Sequence, residues 1–419
     1  MKKLITIACL IGGGAIFADV ATVSDVSIEQ PTTSRKVSIK YKLSKPAVVT
    51  VDIQTNRGDG VDASIGAENF TTMWKDVNRL VKPAADGGFN EILWRPDKDW
   101  NGHKLDAGSV KAVVTAWAED ATPDYMAVSL TSNSNVFYYV SAEAVPGGVT
   151  DNRYKTDWLL MRKIPAAGVT WRMGIAPQNK GLDENASRAE AHLVQLSDDY
   201  YIGIYPITQK QYSWISGWYR KGAPSGDHAG DLKPAAGLDW GALRSGTWPG
   251  DPNHETVSDA ILKARNRTGI AFDLPTEAQW EFACRGGSGE CLYTGEAWNE
   301  ANLGKIAWFA GNTTHLQDVG QKLQNAYGLY DMLGNVQELC LDYYADTYVK
   351  GEDGEPVLDP EGSATGNTYV EWPRSVRGGA YNSAAGSCAS HTRSMCNAHS
   401  GWVPVNFGFR LMAPMGGKW

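Results

Sequence analysis

Six cysteines in 419 residues are too few for a disulfide framework, and none falls in a Cys-x-x-Cys or Cys/His pattern, so a structural zinc site is excluded. Lysine and arginine do not cluster, and the formal net charge is −8. That argues against nucleic acid as a partner, because phosphate binding needs concentrated positive charge. Beyond residue 18 no apolar run is long enough for a bilayer-spanning helix. The seven histidines form no His-Glu-x-x-His motif and no pair at helical spacing. Neither a Gly-x-Ser-x-Gly elbow nor a phosphate-cradling Gly-x-Gly-x-x-Gly occurs, which removes the common hydrolase and dinucleotide templates. Phenylalanine is sparse, at 9 against 16 Trp and 18 Tyr. That balance favours loop-rich packing, because Trp and Tyr carry a polar handle on a large apolar body.

The chain is long enough for two or three domains. Met1 to Ala18 combines two lysines, an apolar run containing Cys9 and a small terminal residue, the pattern of a cleaved export signal. A secreted or periplasmic mature protein is therefore expected. It would retain Cys284, Cys291, Cys340, Cys388 and Cys396, an odd number whose pairing the sequence leaves open.

After the signal, Val37 to Leu43 and Ala47 to Ile53 alternate apolar and polar residues and predict a β-hairpin. Strands are also predicted at Ile92 to Trp94 and Val110 to Trp117, making residues 19–140 an all-β sandwich. Trp94, Asn101-Gly102, Gly108 and the following strand resemble immunoglobulin-like modules related to flagellar hook-capping proteins. That resemblance implies a spacer or adhesive role. Residues 141–157, with Pro146-Gly147-Gly148, predict a linker.

The second part begins near Trp158. Thr208 with Gln211, and Thr276 with Gln279, form two capping boxes that start helices. Tyr212, Ile215 and Tyr219 fall on one face of the first helix, and Gly286-Gly287 ends the second. Little else is periodic, so an irregular α+β domain is predicted. Its densest stretch is Asn325 to Tyr344, where Gly328 and Gly334 punctuate the backbone. Asp331, Asn335 and Glu338 there supply oxygens within eight positions. Such oxygens suit a calcium clamp, or a buried turn in which Asp331 and Asn335 bond nearby N–H groups.

The ordered segments IPAAGVTWRMG, YYIGIYPITQKQY, KPAAGLDW, LPTEAQWEFACRGG, ANLG, NAYGLYDMLGNVQEL, SVRGGAY and NFGFRLM resemble the formylglycine-generating enzyme family, also called sulfatase-modifying factor domains, over residues 158–414. The resemblance implies an irregular α+β fold of the C-type-lectin kind, followed by a short tail, 415–419. It implies structural calcium held by Asp331, the carbonyls of Gly334 and Val336, and Glu338. Oxidising relatives convert a substrate cysteine with copper bound by two cysteines just after Arg-Gly-Gly. Here Arg377-Gly378-Gly379 is followed by Ala380, where that family has serine. Ser383 falls at the first cysteine position and Cys388 at the second. A hydroxyl is a poor ligand for soft Cu(I), so copper is not expected. The resemblance also implies a Cys340–Cys388 disulfide; Cys284 with Cys291 would then leave Cys396 unpaired.

Three functions are compatible with these residues. One is a calcium-stabilised exported scaffold that presents Trp298, Trp308, Tyr381 and Trp402 to a glycan or protein. The second is an enzyme of the formylglycine-generating type, with a groove at Arg377, Asn382, Cys388 and Arg393. In the third, a surface-assembly protein docks partners on its sandwich domain.

Overall fold

The structure, a computed structural model, describes residues 21–30, 34–56, 62–102, 110–118, 121–131, 135–175, 189–217, 223–244, 259–363, 373–397 and 405–415. The expected signal segment with Cys9, Gly108, Tyr219 and Trp402 lie outside them. The chain divides into two units. One runs to Ala127 and resumes over Val136–Asp151; the other comprises Val128–Asn135 and the chain from Asn152 onward.

In the first unit, Val37–Leu43 alternates buried and half-buried positions along its whole length, as a strand with one face on a core must. It lies between Val23–Glu29 and Asn90–Trp94, with Trp74–Lys75 at the far edge. Ala47–Asn56 belongs to a second sheet, paired with Val110–Trp117, Asp62–Ser64 and Arg79–Val81. The predicted hairpin is therefore corrected. Both strands exist, but the Ser44–Pro46 connection sends them into different sheets, and each finds its partner farther along the chain. Both sheets contribute to one apolar core that includes Ile39, Tyr41, Val49, Ile53, Ile92 and Trp94. The segment expected as a linker is structured as well, ending in a short 3₁₀ turn over Asn152–Lys155 that buries Tyr154.

The second unit mixes small sheets with short helices. Trp158–Ile164, Tyr200–Gly203 and Met412–Pro414 lie side by side. Thr170–Met173 and His192–Gln195 pair antiparallel, with Val357–Leu358 parallel to the latter. A third sheet runs in the order Arg393–Asn397, Pro373–Arg377, Gln337–Tyr343, Phe407–Gly408.

Both predicted capping boxes form, with Thr208 and Thr276 each bonded reciprocally to the glutamine three residues on. They start helices Gln209–Ser216 and Glu277–Arg285, which end at Gly217 and Gly286 in the left-handed region. Two further helices, Ala260–Thr268 and Glu300–Ile306, carry no capping box. All of Glu277–Arg285 except Gln279 is buried, so its charged residues needed partners from the rest of the fold.

Candidate functional site

Those partners come from the third sheet. Glu338 pairs across to Arg377, which pairs to Arg393. By the two-residue period of a strand, Ser375 shares their face. The helix lies on that face and presents Glu277 and Glu281, one turn apart, to it. Arg393 forks onto Glu277 at 2.6 and 2.8 Å, and Ser375 Oγ donates to the same carboxylate at 2.9 Å. Burial drives the Glu277 carboxyl upward, but Arg393 and Arg377 outweigh it and bring its pKa down to about 2. Glu281 accepts from Arg377, from Arg285 Nε at 2.8 Å and from the Gly174 N–H at 2.8 Å. Arg377 also donates to the carbonyls of His391 and Thr392, and Arg393 to that of Ala345.

Arg377 and Arg393 are thus no groove residues. Their side chains are 0% and 3% exposed. Each guanidinium neutralises a buried carboxylate, a position that leaves nothing to offer a substrate. Expected for the same groove, Asn382 is exposed and accepts from Asn406 Nδ2 at 3.3 Å.

The stretch that suggested a calcium clamp makes different bonds. Glu338 takes Arg410 on both oxygens, Nε at 2.6 Å and Nη2 at 2.7 Å, and Trp280 Nε1 at 2.6 Å. Arg410 continues to the carbonyls of Gly203 and Tyr330. Among the described residues the cation that Glu338 holds is a guanidinium. Asp331 accepts from the Gly320 N–H, and Asn335 exchanges bonds with the backbone of Gln317. This is the buried-turn arrangement of the same residues. Both Asp331 and Asn335 sit at positive φ, which Asp and Asn tolerate best among non-glycine residues.

Gly334 lies between them at φ 75, where an added Cβ would fall 2.3 Å from the Trp308 carbonyl. Gly334 and Val336 thus fix the loop through their backbone and packing. Among the described residues no group of three or more His, Cys, Asp or Glu side chains is arranged to hold a metal ion. With Arg410 on both of its oxygens, Glu338 already has a buried counter-charge without an ion.

Cys340 and Cys388 are both buried free thiols, so the expected bridge between them is not formed. The Cys388 sulfur packs against Gly379, where a Cβ would come within 2.5 Å of it. Burial pushes its pKa up to about 12, with only the Gly334 N–H opposing. Burial likewise raises the Cys340 thiol well above its ordinary value. Cys388 accordingly lacks the exposure and thiolate character of a reactive cysteine. Ser383 is half-buried, and its Oγ accepts from the Ala380 N–H at 2.9 Å.

Around Ser383, three loop segments are joined by backbone hydrogen bonds. The Asn335 N–H donates to the Trp308 carbonyl, and the Tyr381 N–H to the Asn335 carbonyl. The Ala310 N–H also bonds the Ser383 carbonyl. His228 stands 5.0 Å from the Tyr381 ring. The face therefore combines Tyr381, Asn382 and Ser383 with His228 and Asn406. Neither of the last two was marked by the sequence, since a lone His or Asn in a loop carries no spacing signal.

Among the described residues no open aromatic platform accompanies it. Trp298 and Trp308 are half-buried, Tyr381 is buried, and Lys322 Nζ lies 3.8 Å over the Trp308 ring. Among the described residues the large exposed aromatics are Trp74 and Phe89, in the first unit.

With this geometry in place, comparison with known proteins gives the class. Residues 163–414 match the Sulfatase-modifying factor enzyme 1-like domain, more than half of the chain. The chain belongs to that family. It is similar to a formylglycine-generating enzyme of Streptomyces coelicolor, 32% identical over 45% of this chain and 64% of the relative. The chaperone protein LppX of Paenibacillus barcinonensis is 28% identical over 35% of this chain and 63% of the relative. The chain thus spans under two thirds of the length of either relative. Among solved structures, PvdO from Pseudomonas aeruginosa aligns at 18% identity with a TM-score of 0.47, over 61% of this chain and 94% of that one.

Proposed function

We propose that this chain is an exported member of the family that does not oxidise cysteine and instead binds a protein or glycan ligand. The supporting observation is the pair of residues at the positions the resemblance assigns to copper. Ser383 offers a hydroxyl already engaged with its own turn, and Cys388 offers a thiol that burial holds protonated. Cu(I) is held by soft thiolates, and this pair contains a single sulfur, one short of a two-thiolate site.

The ligand face in this reading is the polar surface of Asn382, Ser383, His228 and Asn406 beside Tyr381. Carboxamides, a hydroxyl and an imidazole both donate and accept hydrogen bonds, the complement of sugar hydroxyls or peptide amides. Of the aromatics expected from the sequence, Tyr381 borders this face. The rival reading, oxidation of a protein cysteine, draws on the similarity to relatives named formylglycine-generating enzyme.

Mass spectrometry separates the two. A sulfatase-motif cysteine peptide incubated with the purified protein, copper, reductant and oxygen should remain unconverted. Formylglycine above a no-protein control would refute the proposal. Glycan-array and peptide-array binding should in turn be weakened by Asn382→Ala with the fold intact.

A further inference from the structure

His228 belongs to the short turn Gly226–His228, and its ring does more than pack on Tyr381. Its Nδ1 accepts a hydrogen bond from the Leu316 N–H at 3.3 Å. An N–H cannot donate to a protonated nitrogen, so this bond requires the neutral tautomer with hydrogen on Nε2. The same requirement argues against a metal ligand role, because Nε2 is then occupied by its proton and Nδ1 by Leu316.

Leu316 is fully buried and packs with Ala236, Val336 and Tyr381. The Leu316 bond therefore ties the loop Thr313–Gln317 to the turn carrying His228, directly behind the proposed ligand face.

Several polar groups surround the imidazole. His315 is 6.5 Å away between ring centroids. Lys233 Nζ donates to the carbonyls of Asp227 and Leu316 at 2.6 Å each. The exposed Asp227 carboxylate is the opposing charge, and Tyr381 presents a neutral ring. A proton added to His228 would remove the acceptor for Leu316 and place a second cationic group beside Lys233. Burial, then His315, then Lys233 hold the His228 pKa below its ordinary value, with Asp227 opposing.

We propose that protonation of His228 is an acid-operated release, which breaks the Leu316 anchor and loosens the Thr313–Gln317 loop behind Tyr381. The switch stands on the His228–Leu316 geometry; its effect on a ligand rests on the binding face proposed above. For a histidine with a lowered folded pKa, stability is present above the ordinary histidine range. It is lost as pH falls through the folded value. The release is local, because Val319 remains bonded to Leu232 and Gln317 to Asn335.

The test needs no ligand. Amide hydrogen exchange of the full chain, corrected for intrinsic rates, is followed at Leu316 by NMR at pH 7.5 and pH 5.0. Protection at Leu316 should drop by about tenfold or more at the lower pH, as local opening predicts, while Val319 holds. In His228→Asn the side-chain oxygen can accept from the same N–H and does not titrate, so protection should be independent of pH. Equal protection at both pH values in the wild type would overturn the proposal, as would an unchanged acid loss in His228→Asn. Ligand binding that fails at every pH alongside an intact Leu316 response would count against the binding face and leave the switch standing.

Discussion

Replacing Arg410 by methionine tests the assignment of the Glu338 counter-ion. The variant keeps most of the buried volume and removes the guanidinium. Glu338 is then left with the Trp280 N–H as its described side-chain donor, in a site 1% exposed. The carbonyls of Gly203 and Tyr330 also lose their bonds from Arg410. Removing one partner of a buried pair costs about 3–5 kcal/mol, because the remaining charge has no solvent. For a unit of this size, that corresponds to a melting-temperature drop of roughly 6–20 °C. Arg410→Met combined with Glu338→Gln should lose less than Arg410→Met alone, since no unpaired charge remains. The assay is scanning calorimetry, each protein run with and without EDTA. If a guanidinium is the counter-ion, the chelator leaves the wild-type transition in place. A ligand bound only to the folded state must stabilise it. A wild-type transition several degrees lower in EDTA, or an Arg410→Met loss below about 1 kcal/mol, would refute the reasoning.

What the sequence revealed was what is local. The capping boxes at Thr208 and Thr276 lie within four residues, and both helices start where they predict. The alternation of Val37 to Leu43 showed which side chains face a core, but alternation contains nothing about which strand lies alongside. The predicted hairpin failed for that reason. The same limit governed the site. Asp331, Asn335 and Glu338 are close in sequence, which left a clamp and a buried turn open, and the family resemblance implied the ion. Arg410, which binds Glu338, is 72 positions away, and Arg393, which binds Glu277, is 116 positions away. One signal was available: Glu277 and Glu281 repeat at helical spacing within a run of otherwise apolar residues. A buried face carrying two carboxylates demands cations, and Arg377, Arg393 and Arg410 all follow it in the chain, Arg377 and Arg410 within the later motifs. Read for charge balance, they become counter-ions and the groove loses its arginines.

The remaining predictions concern the thiols, the central loop and the pH dependence of folding. Native protein at pH 7.5 should resist iodoacetamide at Cys340 and Cys388 and label at both after unfolding, checked by peptide mass; rapid native labelling of Cys388 would restore a reactive thiol. Gly334→Ala should destabilise by about 2 kcal/mol or more, because its Cβ meets the Trp308 carbonyl at 2.3 Å. Gly287→Ala, at φ 86 with open space around it, should cost about 1 kcal/mol from backbone strain alone; equal melting shifts would contradict the clash. Asp342 is a buried carboxyl. It accepts from the Glu277 N–H at 2.7 Å, and burial, then the Glu277 charge, raise its pKa to about 8. The folded chain therefore holds a proton that the unfolded chain releases. This group's contribution to stability falls as pH rises from the ordinary carboxylate range toward 8. Asp342→Asn keeps an oxygen for the Glu277 N–H and never ionises. It should match the wild type near pH 4 and exceed it by roughly 2–5 kcal/mol near pH 8. A stability difference that stays constant across that range in urea titrations would show that Asp342 does not carry the buried proton.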